Sequence, residues 1–289
     1  MTHGCLAANL GASHRKANVM PVMDRILVTG AAGEIGSTLR AGLRGAYALL
    51  RLTDRRPLEP AAAGEEIVEA DITDAAAVAK LMQGIDCVVH LGGVPREGAW
   101  EAILENNIAG TYNVFEAAHA AGVKRIVFAS SNHTIGYYRV GRRLGVDEPV
   151  RPDSRYGVSK VFGEALGRMY ADKHGLEVAC LRIGSFRREP GDFRQLSTWI
   201  SPRDTVQLVR RCIDAPSFHF LVLYGVSANT RSRWDNPHAA LIGYTPQDNA
   251  EAYADRFTAP ALDGSDPVAE FHGGPFCGLE FDGDIDRID

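Results

Sequence analysis

The chain is poor in the features that most simply classify a protein. Its five cysteines (Cys5, Cys87, Cys180, Cys212 and Cys277) are odd in number and widely scattered, with no CxxC pair. Neither a disulfide framework nor a metal site is expected from them. No apolar run approaches the roughly 20 residues that span a bilayer, so no membrane partner is expected. A basic surplus is missing too. The 289 residues carry 31 Lys and Arg against 36 Asp and Glu, a net charge of -5, which is the wrong sign for a nucleic-acid-coating surface. No internal repeat is visible, and low complexity is confined to Ala61-Ala62-Ala63.

What is present is an ordinary globular composition, 45% hydrophobic and 23% charged. A chain of this length buries enough surface to fold without a covalent or metal staple. Cys87 and Cys180 lie inside apolar runs and read as buried, reduced thiols, which fits a cytoplasmic location. The stretch Cys5-Leu6-Ala7-Ala8 is too short for a signal core, and the basic residues His14-Arg15-Lys16 follow it rather than precede it. Residues 1–22 show no periodicity and are expected to form a flexible extension. Order starts near Asp24, with Met20 and Met23 as alternative starts.

From Arg25 onward the pattern alternates. Apolar runs predict strands at 26–29, 47–52, 67–70, 87–91, 125–129 and 178–183, and helices at 35–44, 74–82, 99–121 and 155–174. Strand, helix and strand at this spacing mean right-handed crossovers and a parallel sheet covered on both faces. The expected fold is α/β, a doubly wound parallel sheet of the Rossmann type. Regularity drops after Ser185. The expected organisation is therefore a dinucleotide-binding domain over 23–186, with a small, loop-rich substrate-binding portion over 187–289 packed on the strand ends.

Gly30-Ala31-Ala32-Gly33-Glu34-Ile35-Gly36 sits between the first strand and the first helix. Glycines there let the backbone turn tightly and approach a pyrophosphate, whose charge rests on the helix N-terminus. The spacing is GxxGxxG, and its place after a strand and before a helix gives it weight. Asp54 closes the second strand, 18 residues beyond Gly36. A carboxylate there accepts hydrogen bonds from the adenosine ribose and repels a 2′-phosphate, so the expected cofactor is NAD. Arg55 and Arg56 are the residues that would argue for NADP. Asp71-Ile72 ends the third strand, and Asp71 either reaches the adenine or caps a turn. His90-Leu91-Gly92-Gly93 ends the fourth, where small residues let the backbone pass close to the cofactor.

Tyr156-Gly157-Val158-Ser159-Lys160 places a phenol and an ammonium four residues apart, on one face of a helix. A free tyrosine, with a pKa of about 10, is a poor base at neutral pH. A nearby ammonium and a cationic nicotinamide ring would both lower that value. Lys160 can also hold the nicotinamide ribose. Either Ser130 or Ser131, after the fifth strand, can orient a reacting hydroxyl toward Tyr156; register favours Ser131. The same Ser-Ser-Asn-His run is also compatible with plain turn chemistry. His133 has no evident partner carboxylate and is expected to bind rather than act as a base.

In order, TGAAGEIG, Asp54, HLGG, the Ser131 region and YGVSK resemble the extended short-chain dehydrogenase/reductase superfamily over about residues 25–185. The resemblance implies a catalytic triad of Ser131, Tyr156 and Lys160, a structural and relay role for Asn107, and a homo-oligomer. The chain is more closely similar to the bacterial uronate dehydrogenases. Residues 129–138, Arg182-Ile183-Gly184-Ser185, residues 194–199, Trp234-Asp235-Asn236 and residues 246–251 carry that likeness. It implies a cofactor contact at Phe186, sugar contacts at Ser131, Asn132, His133 and Ser185, and a substrate carboxylate on Arg194. Arginine suits that task because its planar fork matches a carboxylate bidentately. Pro95 stands in the substrate-binding segment where those enzymes often have serine, which bears on the choice between galacturonate and glucuronate. The implied reaction is NAD-dependent oxidation of a hexuronic acid at the anomeric carbon, giving an aldarolactone, with Tyr156 as base and no metal. Two rival readings stand beside it. A nucleotide-sugar epimerase or dehydratase would need a longer C-terminal region to grip a diphosphate. A non-catalytic NAD-sensing regulator would typically lack the Tyr-Lys pair.

Overall fold

The computed structural model describes residues 23–288; the extension expected over 1–22, with Cys5, lies outside them. The apolar runs become strands buried on both faces. In β1 (Arg25–Thr29), Ile26 and Val28 face one core while Leu27 faces the other, which is why the run reads as continuously apolar rather than alternating. The other strands are β2 (Leu49–Thr53), β3 (Glu65–Ile67), β4 (Cys87–His90), β5 (Arg125–Ser131), β6 (Glu177–Ile183), β7 (Ser185–Phe186), β8 (Trp199–Ile200) and β9 (Phe220–Gly225). Seven of them form one sheet in the order β3-β2-β1-β4-β5-β6-β9, with every pair parallel, while β7 and β8 pair separately. This is the doubly wound nucleotide-binding architecture. The chain moves outward from β1 to β3, then returns to lay β4 on the other side of β1. Ligands of such sheets bind at that reversal, outside the carboxyl ends of the strands.

Helices cover both faces. Those that frame the site are α1 (Glu34–Leu43), α2 (Ala75–Leu81), α3 (Trp100–Ile103), α4 (Gly110–Ala120), α5 (Arg155–His174), α6 (Gln195–Thr198) and α7 (Pro202–Asp214). Short helices α8 (Ala239–Ile242), α9 (Pro267–Glu270) and α10 (Pro275–Gly278) follow. Leu39 and Leu43 of α1 and Leu208 and Val209 of α7 pack on one side of the sheet. Val114, Phe115 and Tyr170 of α4 and α5 pack on the other.

Several expectations need correction. The third strand pairs over 65–67 rather than 67–70, and the second over 49–53 rather than 47–52. Glu65 hid the third strand because a charged residue seldom marks a core strand. Here its buried carboxylate is satisfied by Arg40 (2.7 Å) and Arg44 (3.0 Å), and Arg40 holds it down to about 2. The helix expected over 99–121 is interrupted by a π-helical turn, Leu104–Ala109. Beyond residue 186, β9 joins the edge of the seven-stranded sheet and α7 packs on its core. Arg125 of β5 ties that addition in place. Its Nη1 donates to the carbonyls of Cys212, Ile213 and Ala215, and its Nε donates to Glu177 at 2.8 Å. The four described cysteines are free and buried. Among the described residues no helix is long and apolar enough to cross a membrane.

Candidate active site

The glycine loop is built by backbone geometry. Gly30 has φ +69°, and a Cβ there would lie 2.8 Å from the Gly92 amide nitrogen. On Gly36 it would lie 2.4 Å from the Gly30 carbonyl oxygen, and on Gly33 it would lie 3.2 Å from the same atom. The loop therefore folds flat against the first turn of α1 and against the end of β4. Helix α1 starts at Gly33 with no side chain capping its free N–H groups, so these remain available to an anion. Glu34 is exposed, and Ile35 packs on the core. Asp54 is buried beside the loop, accepting from the Ala32 amide (3.0 Å) and the Arg56 amide (2.9 Å). Arg56 bends back toward the same carboxylate at 3.4 Å, and Arg55 points to Asn106 at 3.5 Å.

Asp71 accepts from the Thr73 amide at 2.9 Å, so of its two possible roles the structure shows the turn. The adjoining Ile72 is buried and lies under Gly92, whose Cβ would come within 3.2 Å of it. Thr29 receives the amides of Leu91 (3.2 Å) and Gly92 (3.1 Å) on its hydroxyl and pairs with His90 at 2.8 Å. His90 is wholly buried and so pushed down to about 3. Asn107 lies in the π-helical turn, a distortion often found at functional sites. Its side chain clamps Val94 from both sides, accepting from the amide (2.7 Å) and donating to the carbonyl (3.0 Å), and it also donates to Ser159. The clamp sets the path of the loop that carries Gly93 and the exposed Pro95.

Helix α5 carries Tyr156 and Lys160, both buried. Ser154 caps its first turn by accepting from Gly157 (3.0 Å), and Glu97 accepts from the Tyr156 amide (2.8 Å). Burial pushes the phenol up to about 12; the Ser131 side chain draws it back by hydrogen bonding, and Asp153 adds to the rise. Burial likewise lowers the Lys160 ammonium to about 8. The lowering was expected from the ammonium and a cationic nicotinamide ring together; in the protein alone burial sets the direction of the shift. Lys160 Nζ lies 5.5 Å from the centre of the Tyr156 ring and 5.2 Å from that of Phe128. It has no hydrogen-bond partner among the described residues. An ammonium left so is costly unless a ligand supplies the missing acceptors.

The Ser-Ser-Asn-His run splits by register. Ser130 turns into the protein and donates to Glu164 (2.6 Å), which also holds Arg182. Ser131 lies beside Tyr156 and accepts from the His133 amide at 3.2 Å. With its amide in the orientation that satisfies both ends, Asn132 donates to the Ile183 carbonyl (3.1 Å) and accepts from Arg194 Nη2 (2.9 Å). Arg194, expected in a covering loop, stands at the start of α6. Its Nε donates to the His272 carbonyl (2.8 Å), and its Nη1 lies 3.4 Å from the Ser185 hydroxyl, which pairs with Thr198. Phe186 packs on the neighbouring core.

His133 departs from expectation. A partner carboxylate exists: Asp153 lies 2.7 Å from Nδ1, with its side chain wholly enclosed. Phe276 stacks on the other face of the ring at 3.9 Å between centroids. Asp153, His272 and Phe276 all escaped the sequence reading. Asp153 sits just before YGVSK, but no spacing rule joins it to a histidine 20 positions earlier. The other two belong to a segment with no periodicity.

The site thus combines an uncapped helix N-terminus behind a flat glycine loop, an acidic residue closing the second strand, and a buried Tyr-Lys pair. Residues 26–210 match the NAD dependent epimerase/dehydratase family, and the chain belongs to it. Within the family it is 50% identical to the uronate dehydrogenase of Agrobacterium fabrum over 256 residues, covering 88% of this chain and 97% of that one. It is 46% identical to the uronate dehydrogenase of Pseudomonas putida, covering 88% and 96%. A solved structure of a mutant Agrobacterium tumefaciens uronate dehydrogenase complexed with NAD matches with TM-score 0.83 at 50% identity, covering 88% and 97%.

Proposed function

We propose that the protein oxidises a hexuronic acid, galacturonate or glucuronate, at its anomeric carbon with NAD and releases an aldarolactone. One observation carries this reading. The half-buried guanidinium of Arg194 and the buried Tyr156-Lys160 pair flank a single turn, whose neighbouring residues Asn132 and Ser131 touch one each. A sugar bridging them has its carboxylate on Arg194 and a ring hydroxyl at Ser131 and Tyr156. Curated relatives named uronate dehydrogenase, matched over nearly their whole length, support the same substrate class.

NAD, when bound, would supply the hydride acceptor and a cationic ring. The chain's own residues do the rest. The glycines at 30, 33 and 36 with the start of α1 hold the pyrophosphate. Asp54 takes the adenosine ribose, Leu91, Gly92 and Gly93 line the path beyond it, and the Lys160 ammonium satisfies itself on the nicotinamide ribose. Ser131 orients the sugar hydroxyl, and Tyr156 removes its proton. Asn132, His133 and Ser185 hold the ring. Pro95 offers no hydroxyl, so the loop after β4 reads the sugar by shape. Buried, reduced thiols support a cytoplasmic location. Exposed Trp100, Leu104, Tyr112 and Val158 along α3 to α5 support a homo-oligomer.

The test follows NADH formation with uronic acids, neutral aldoses and UDP-sugars, using NAD and NADP in turn. Turnover of uronates with NAD is expected. Conversion of UDP-sugars alone, followed by chromatography because an epimerase or dehydratase returns its hydride and accumulates no NADH, would give the site to that class, and tight NAD binding without turnover of any sugar would favour a sensor.

A further inference from the structure

Asp153 carries a buried carboxylate that the proposed reaction does not use. Its Oδ1 accepts from the Ser154 hydroxyl (2.7 Å), and that hydroxyl accepts the Gly157 amide that starts the helix bearing Tyr156. Its Oδ2 meets His133 Nδ1 at 2.7 Å. The slot that admits it is cut by two glycines from distant parts of the chain. A Cβ on Gly136 or on Gly273 would lie 1.9 Å from Oδ2. Cys277 closes the slot with its sulfur 3.9 Å from the same oxygen.

His133 is gripped on its remaining sides as well. Phe276 stacks on the ring at 14° between planes, and Tyr156 meets it edge-on at 5.8 Å. Its amide is held by Ser131. Only Nε2 has no hydrogen-bond partner among the described residues. A carboxylate accepts hydrogen bonds and does not donate them. The proton facing Asp153 therefore belongs to Nδ1, and the hydrogen bond at one ring nitrogen decides what the other can do.

We propose that Asp153 is a positioning residue for the substrate: it holds His133 as the Nδ1–H tautomer, so that Nε2 accepts a hydrogen bond from a hydroxyl of the bound sugar. The inference rests on the reading of this site as a sugar-acid dehydrogenase, because it needs a polyhydroxyl ligand between Ser131 and Arg194. The groups facing the pair include Tyr156 from α5, Arg194 at the start of α6, Cys277 from α10 and Tyr137 from the turn after β5.

The first measurement is ¹⁵N NMR of the wild-type histidine rings, with the His133 signals assigned by their loss in His133→Asn. A protonated Nδ1 and a bare Nε2 are expected; a protonated Nε2 on the neutral ring overturns the proposal. The second is a kinetic cycle of Asp153→Asn, His133→Asn and the double variant. Asp153→Asn should raise the sugar KM about tenfold, the size of one mispaired hydrogen bond, with a smaller change in kcat and unchanged NAD affinity. Added to His133→Asn it should do nothing further, because coupled residues are not additive. An unchanged KM in Asp153→Asn, or an undiminished second penalty in the double variant, would reduce Asp153 to a packing role. The ring measurement needs no substrate. A failure to oxidise uronates would thus sink the functional reading without touching the tautomer, and the cycle can be run on whichever aldose is turned over.

Discussion

The two ends of the site are built on opposite principles. At the cofactor end, backbone does most of the holding: three glycines, a bare helix N-terminus and two strand ends, contributed by short runs of consecutive residues. At the end proposed for the sugar, side chains converge instead, and they come from β5, the segment before α5, α6 and the stretch around α10. The first arrangement suits a ligand whose shape is the same in every member of the family. The second lets the same fold take different sugars, since each contact can be exchanged without disturbing the sheet.

Substitutions that separate the two ends sharpen this contrast. The largest effect is expected where they meet. Tyr156→Phe removes the base, and kcat should fall about a thousandfold while the NAD dissociation constant, read by fluorescence titration, stays the same. Retained turnover would take the base away from Tyr156. Next comes Arg194→Ala at the sugar end. Loss of a charge-assisted fork should raise KM for uronates about a hundredfold and leave any residual activity on neutral aldoses unchanged. Equal losses on both substrates would mean that Arg194 supports the loop rather than the carboxylate.

A third comparison uses acid. His90 lies behind the turn that ends β4 and His272 behind Arg194, and burial pushes them down to about 3 and about 4 respectively. Below the unfolded value near 6.5 the unfolded chain takes up protons that the folded chain refuses. Stability therefore falls as pH drops from 6.5 toward 4, by up to about 1.4 kcal/mol per pH unit for each histidine. Denaturant melts of His90→Asn and His272→Asn should each show a shallower acid slope than the parent. Parallel slopes would assign the acid loss to carboxylates instead. The smallest effect should come from Gly36→Ala. Its methyl would press on the Gly30 carbonyl, and overpacking of this kind costs about 1–3 kcal/mol. NAD affinity should weaken by roughly tenfold or more with the uronate KM unmoved. A change in KM alone would contradict the division between the two ends.

The same division explains what could be read in advance. The loop, Asp54, the Leu91 to Gly93 turn and the Tyr-Lys spacing are local patterns, each set by a few neighbouring residues whose steric and electrostatic demands show in one dimension. The partner of His133 was not legible, because a carboxylate finds its imidazole through the packing of Gly136 against Gly273, residues that only the fold makes neighbours. The final strand was missed for a related reason. Phe220–Gly225 follows a helix whose exposed face is rich in arginine, so its apolar side was hidden among loop-like residues. The Tyr156 phenol shows the limit most clearly. Spacing places a cation four residues away, but burial, which spacing does not report, sets the direction of the shift.

Alternating apolar runs and the order of the glycine, acidic and Tyr-Lys motifs were enough to determine a doubly wound sheet and where its nucleotide lies, because those depend on backbone conformation and on periods of two and 3.6 residues. Which side chains brace His133 and Arg194, namely Asp153, Phe276 and His272, was decided by the tertiary structure alone. Convergence across 140 residues depends on how the segment around α10 packs onto the ends of the strands, and no local rule contains that packing.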